Sequence, residues 1–283
     1  MPTQKKMQIA YPPAVIAALA AVSKAAPETT TMAMASAAAA RATPADESVL
    51  MRLQFKPPSG APEFTILRTV EVDKYEPPAL AALTTPHGVM ALAASSGDNF
   101  TGTDRRVAKI SIADAAMEEF ADLKDLIATL PSTSFMKNHK PKITRDKNMN
   151  RVEVEKRNVR VHAFLYAASR ENDNDFHLII GRDPSAGEEM YMNVELSGLP
   201  PASSKSFTKL KTARNAYKKY WGSELPGTSY DFYTNAPRPV LIEGSLFFDV
   251  THATGQKPGP QKLSKKIPTI WEIHPITRIK FKA

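Results

Sequence analysis

The first patterned stretch of the chain repeats with a period of two. Val49, Met51, Leu53 and Phe55 occupy every second position, with Arg52, Gln54 and Lys56 among those between, the alternation of a half-buried strand. Phe64, Ile66, Val70 and Val72 continue it on a return strand broken by Arg68. The connection, Pro57-Pro58-Ser59-Gly60-Ala61-Pro62, is built from residues that fix or free φ. A hairpin is therefore predicted over 48–73. Residues 76–104 hold Pro and Gly with little period and read as loop with short pieces. Residues 106–111 read as one more strand. From Ser111 the period changes. Ala113, Met117, Phe120, Leu123, Ile127 and Leu130 recur at steps of three and four, one face of a helix. Ser111 is placed to cap it, Asp114 sits near the positive end of its dipole, and Pro131 ends it.

Residues 132–151 have almost no apolar period and carry Lys137, Lys140, Lys142, Arg145, Lys147 and Arg151. They read as a basic linker. Beyond it the pattern predicts strands over 152–168, 175–181 and 190–196, a helix over 206–221, and strands over 239–250 and 270–281. Phe207, Leu210, Tyr217 and Trp221 line one side of the helix. The order β-β-β-α-β-β is that of an OB-fold, a five-stranded barrel with a helix between its third and fourth strands. Gly244 suits a barrel strand that bends. The expected fold class is thus α+β to mainly β: an OB-like barrel over 152–283 with one inserted helix, plus a small α+β unit over 47–131. Residues 1–46 form an Ala-rich leader of low complexity. In it Lys5 and Lys6 precede a short apolar run over 14–22 and the small residues Ala35-Ser36-Ala37. This imitates a secretory signal, but Tyr11-Pro12-Pro13 interrupts its start, so a cytoplasmic location is the expectation.

Composition narrows the chemistry. With no Cys in 283 residues, disulfides, thiolate metal sites and a Cys nucleophile are excluded. No apolar run reaches the ~18–20 residues of a membrane helix. The net charge of +8 is unevenly placed: residues 1–130 hold 12 Lys and Arg against 14 Asp and Glu, and residues 131–283 hold 25 against 15. A basic C-terminal half points to an anionic partner, nucleic acid or another polyanion such as an acidic polysaccharide.

Four segments carry a resemblance: RNVRVHAFLYAASRENDNDFHLIIGRDP (157–184), YMNVELSGLPP (191–201), VLIEGSLFFDVTH (240–252) and WEIHPITRI (271–279). Together they resemble a group of uncharacterised bacterial proteins with a D-x-D-x-H-L strand, a G-x-L-F-F-D-x-x-H strand and a closing E-I-H-P strand. The resemblance spans roughly residues 130–283, implies a boundary near 130–150 and implies no activity.

Barrels of this kind take ligands on the face of the second and third strands, flanked by the first and last loops. The last loop, 253–269, carries Lys257, Lys262, Lys265 and Lys266 with no acid, and the helix adds Lys209 and Arg214. With Tyr191 and Trp271 as stacking rings, these residues form a candidate single-strand nucleic-acid groove. A second constellation is Asp175 and His177 on one face of the second strand, Asp249 and His252 at the end of the fourth, and Glu272 and His274 on one face of the fifth. Imidazole and carboxylate ligands suit a divalent metal, which is the candidate cofactor. Asp249 and His252 can meet only where their strand ends or bulges. A non-enzymatic polyanion-binding module is the leading expectation, with no catalytic residue assigned. The alternatives are a metal-dependent phosphodiesterase or nuclease using the His/Asp/Glu cluster, and a structural or protein-interaction role in which the N-terminal unit docks another protein; if the histidines are only hydrogen-bonded, the binding reading stands. The G-x-G-x-x-G, G-x-x-x-x-G-K, H-E-x-x-H and G-x-S-x-G signatures are absent.

Overall fold

The computed structural model describes residues 48–58, 60–72, 97–255 and 257–282. The leader with its signal-like run, and most of the loop expected over 76–104, lie outside them. In chain order the elements are β1 (Val49–Phe55), β2 (Phe64–Thr69), α1 (Arg106–Lys109), β3 (Met117–Phe120), α2 (Leu123–Ala128), α3 (Thr133–Lys137), β4 (Asn158–Arg170), β5 (Phe176–Gly181), β6 (Tyr191–Leu196), α4 (Phe207–Trp221), β7 (Asp231–Phe232), β8 (Arg238–Phe248), α5 (Gln261–Ser264) and β9 (Trp271–Phe281). Among the described residues no helix is long and apolar enough to cross a membrane.

Five strands close on themselves. β4 pairs antiparallel with β5, β5 with β6, β6 runs parallel to β9, and β9 and β8 return antiparallel to β4. This is the expected OB-like barrel, with α4 inserted between its third and fourth strands. β4 serves both sides because it is long: Asn158 to Leu165 pair with β8, and Phe164 to Arg170 pair with β5. The hairpin β1–β2 extends the sheet through β7, which bridges β2 and β4.

The alternation of β5, β6 and β9 decides what the barrel encloses. Phe176, Leu178, Ile180, Met192, Val194, Leu196 and Ile273 enter the main core. Tyr217 and Trp221 of α4 enter the same core, and Phe55 and Phe64 of the hairpin reach it as well. The segment expected to be a linker also contributes: Met136 and Ile143 are buried there. Arg151 is buried too, and donates to the carbonyls of Leu246, Ala108 and His274 at 2.6–2.7 Å. Sheet and core are thus shared across the boundary expected at 132–151.

Two expectations fail in the segment before the barrel. The helix over 111–130 is interrupted, because Met117–Phe120 form β3 and pair in parallel with Asn158 to Val161. Asp122 then starts α2 afresh, accepting from the Lys124 backbone N–H at 2.8 Å. The Ser111 hydroxyl donates backwards to the Ala108 carbonyl instead of capping forwards. The strand expected over 106–111 is the single helical turn α1.

Gly244 lies in the β8–β9 pair, between two register shifts. A Cβ there would run into the Pro275 carbonyl oxygen, and would come within 2.5 Å of an Ile273 methyl and 3.1 Å of the Ile276 Cα. Gly244→Ala should therefore destabilise the barrel by about 1–3 kcal/mol, the usual cost of overpacking. A urea midpoint unchanged from wild type would contradict this.

Candidate metal centre

The residues of β5, β6 and β9 that do not enter the core form a second face. His177 and Ile179 share it with Tyr191, Asn193, Glu195, Glu272 and His274, and the register sets His177 opposite Glu195 and Ile179 opposite Asn193. One half of this face is apolar and covered. Ile179 and Tyr191 pack with Tyr166, Tyr230, Leu263 and Ile267, and the Tyr191 N–H donates to the Lys266 carbonyl at 3.0 Å. The long loop after β8 thus lies across the strands it was expected to flank. Lys257, Lys262, Lys265 and Lys266 are exposed on it, and Lys266 pairs with Glu189.

The other half is polar. Glu195 is its hub: Oε2 lies 2.9 Å from His274 Nδ1, and Oε1 lies 3.9 Å from His177 Nε2. His274 Nε2 is 3.3 Å from Asp175 Oδ2, and its Nδ1 is 3.5 Å from Glu272 Oε2. Asn193 links the carboxylates, donating to Glu272 Oε1 at 2.7 Å and to Glu195 Oε1 at 3.2 Å. The Gly198 N–H donates to Asp175 Oδ1 at 2.5 Å. His177 Nδ1 meets Glu171 Oε1 at 3.2 Å and the Tyr230 hydroxyl at 3.1 Å. Asp249 and His252 do meet, at 3.2 Å, because β8 ends at Phe248 and a 3-10 turn (His252–Thr254) brings the imidazole back.

A strap over residues 97–111 walls this half. It is tied down by Phe100 N–H to the Leu199 carbonyl (3.0 Å), Leu199 N–H to the Asp98 carbonyl (2.7 Å) and Thr101 N–H to the Asp173 carbonyl (3.0 Å). It brings in Lys109, whose side chain is 16% exposed and whose Nζ lies 4.0 Å from Asp173 Oδ2. Between strap and barrel an open pocket of about 400 Å³ is lined by Lys109, Arg145, His177, Glu195, Asp249 and His252 among others. Asp175, Glu272 and His274 lie beneath its floor, 0–1% exposed.

The electrostatics follow from many carboxylates in little water. Burial pushes Asp175 well above the ordinary carboxylate range, and Asp173 and Glu195 add to it. Burial also raises Glu272, with Glu195 adding, up to about 7. Burial alone would raise Glu195 too, but the His274 imidazole and the Lys109 ammonium hold it well below. Lys109 resists its own burial because Glu195, Asp173, Asp175 and Asp249 face it, and it is held well above the usual lysine value.

Three sets of side chains here each offer ligand atoms within 4.8 Å of one another: Asp175, Glu195 and His274; His177, Glu195 and Glu272; Asp249, His252 and Glu272. Tetrahedral zinc bonds of ~2.0–2.1 Å place ligands about 3.3–3.5 Å apart, the spacing of His274 Nε2 from Asp175 Oδ2. All six residues proposed from the sequence as metal ligands fall in these sets. Glu195 was missed, with its neighbours Asn193 and Lys109. Its signal was available: Asn193 and Glu195 are the polar positions of a strand whose other members are Tyr191, Met192, Val194 and Leu196.

The proposed nucleic-acid groove is not assembled. Tyr191 is 2% exposed and its hydroxyl donates to Glu189; Trp271 is fully buried and donates to the Pro131 carbonyl. Neither ring has a face open to a base. Arg214 is 1% exposed, bonded to Asp98 and to the Leu196 and Ser197 carbonyls, with Phe176 beneath its guanidinium. Lys209 is exposed on α4, apart from the loop lysines. No protein family, curated protein or solved structure matches the chain.

Proposed function

We propose that this chain is a divalent-metal-dependent hydrolase of phosphoesters, with its ion seated on the polar half of the β5–β6–β9 face. One observation carries the reading. Asp175 Oδ2, Glu272 Oε2 and both ring nitrogens of His274 are buried and close to other polar atoms, yet none has an aligned hydrogen bond. Buried polar atoms are ordinarily satisfied, and a cation held by Asp175 Oδ2 and one ring nitrogen of His274 would satisfy two of them at once. Such an ion supplies Lewis-acid polarisation of a phosphoryl oxygen and a more acidic bound water. Lys109 would face the negative charge of the phosphoryl group. Water adds at phosphorus, the ester P–O bond breaks, and the leaving oxygen takes up a proton.

The test is turnover of bis(4-nitrophenyl) phosphate and 4-nitrophenyl phosphate by protein loaded with Mn²⁺ or Zn²⁺. Expected are hydrolysis abolished by EDTA and a loss of about 10–100-fold in Glu171→Gln, which removes an orienting contact of His177. No turnover of either ester with either metal would overturn the reading.

A second reading, polyanion binding, keeps one specific support: Lys257, Lys262 and Lys265 stand exposed on the outer side of the covering loop. Binding of labelled single-stranded DNA or RNA that weakens steeply with salt, is indifferent to EDTA and is lost when all three are replaced by Gln would favour it.

A further inference from the structure

We infer that the polar face holds two divalent ions rather than one, adjacent and joined through the carboxylates of Glu195 and Glu272. This rests on the metal-dependent reading above and specifies it.

The ligand count is the first argument. Asp175, His177, Glu195, Asp249, His252, Glu272 and His274 are seven side chains in one continuous cluster. A zinc ion takes four ligands, and catalytic sites keep one of the four for water. One ion therefore leaves half of these groups unused. The second argument is how the sets overlap. Asp175, Glu195 and His274 form one end; Asp249, His252 and Glu272 form the other; and the middle set, His177 with Glu195 and Glu272, takes its carboxylates from both ends. Ligand atoms of Glu195 and Glu272 thus come within 4.8 Å of each other, and Asn193 holds the two carboxylates from one amide nitrogen. Glu195 already turns its two oxygens to different imidazoles, Oε2 to His274 and Oε1 to His177, as a carboxylate shared between two ions does. An ion in each end set, with Glu195 and Glu272 adjacent between them, has the plan of a two-metal phosphoester site. The third argument is charge. Four candidate ligand carboxylates meet there, and Lys109 faces three of them, Asp175, Glu195 and Asp249, together with Asp173. Two divalent ions balance the four ligand carboxylates, and Lys109 with Asp173 stays at the pocket wall.

The layering adds a division of labour. The Asp175–His274 end lies beneath the pocket floor, whereas Asp249 and His252 line the pocket itself. The inner ion is then the more enclosed, and the outer ion meets solvent and substrate.

The experiment is metal stoichiometry on the full chain. After loading with Zn²⁺ and gel filtration, elemental analysis should find two zinc per chain. After loading with Mn²⁺, the electron paramagnetic resonance spectrum should show an exchange-coupled pair. His252→Ala and, independently, Asp249→Asn should each retain one ion and lose the coupling; both lie at the edge of the barrel, where folding is least at risk. One ion per wild-type chain would overturn the two-ion inference and leave the single-ion hydrolase standing. No ion would overturn both. Two ions with uncoupled manganese spectra, or two ions retained in both variants, would overturn the shared pair.

Discussion

Replacing Glu155 by alanine should cost about 3–5 kcal/mol of folding free energy, the usual penalty for stranding a buried charge. Glu155 and Arg105 are fully buried and meet through two parallel bonds of 2.7 Å. Each is held by further partners. Arg105 also donates to the carbonyls of Phe248 and Asn150, and Glu155 accepts from the backbone N–H groups of Val152 and Phe248. The pair therefore fastens the strap to the end of β8 and to the turn before β4. Glu155→Ala leaves a guanidinium with no carboxylate in a dry site. Arg105→Ala should cost less, because the two backbone donors stay on Glu155. The double substitution Arg105→Met with Glu155→Leu should recover only part of the loss, since an apolar pair removes the desolvation of both charges but strands the Val152 and Phe248 N–H groups. A urea midpoint that shifts while the slope is unchanged measures this. A Glu155→Ala cost below about 1 kcal/mol would show that the pair is not what anchors the strap. The strap positions Lys109, so the variant should also lose turnover faster than it loses fold.

The second large effect is that of metal on stability. Asp175, Glu195, Asp249 and Glu272 sit together with little water, and a divalent cation bound among them would add its charge to that of Lys109. A ligand that binds the native state alone adds about 4 kcal/mol at 1,000 times its dissociation constant. For a chain of this size that is roughly 8–16 °C in melting temperature, at ~2–4 °C per kcal/mol. Zn²⁺ or Mn²⁺ should therefore raise the melting temperature by that order, and EDTA should reverse it. Glu195→Gln should abolish the rise, because Glu195 belongs to two of the three ligand sets. A melting temperature indifferent to every divalent ion tried would remove the site as a metal centre.

The barrel was legible in the sequence because its strands carry their own punctuation. The third strand was expected over 190–196 and is Tyr191–Leu196; the helix was expected over 206–221 and is Phe207–Trp221. Alternation and turn residues are local properties, and here the fold agrees with them. Residues 111–130 were illegible for the opposite reason. Their apolar spacing does satisfy a helix, and Leu123 is buried as it predicts, with Leu126 beside it rather than Ile127. But Met117–Phe120 find hydrogen-bonding partners on β4, some 40 residues on, and no local pattern records a partner that distant. The candidate site divides the same way. Asp175 with His177, and Glu272 with His274, were visible as alternating pairs. Their convergence on Glu195 depends on β6 lying between β5 and β9, which is topology and not spacing. Tyr191 and Trp271 were misread because in a strand covered on both faces, alternation does not tell an open ring from a buried one.

The parallel pairing of β6 with β9, registered at Val194 and Ile273, is the seam at which the cylinder shuts. It brings together residues such as Asn193 and Glu272, 79 positions apart, much as the β4–β8 pair brings together Asn158 and Ser245, 87 apart. Contacts of such sequence separation are slow to form, because the loop-closure entropy comes before any reward. Glu195 stands on one lip of that seam, with Glu272 and His274 on the other. The candidate metal cluster and one long-range closure of the barrel therefore share an address. The cluster is incomplete until β9 has paired, because Glu272 and His274 come with that strand.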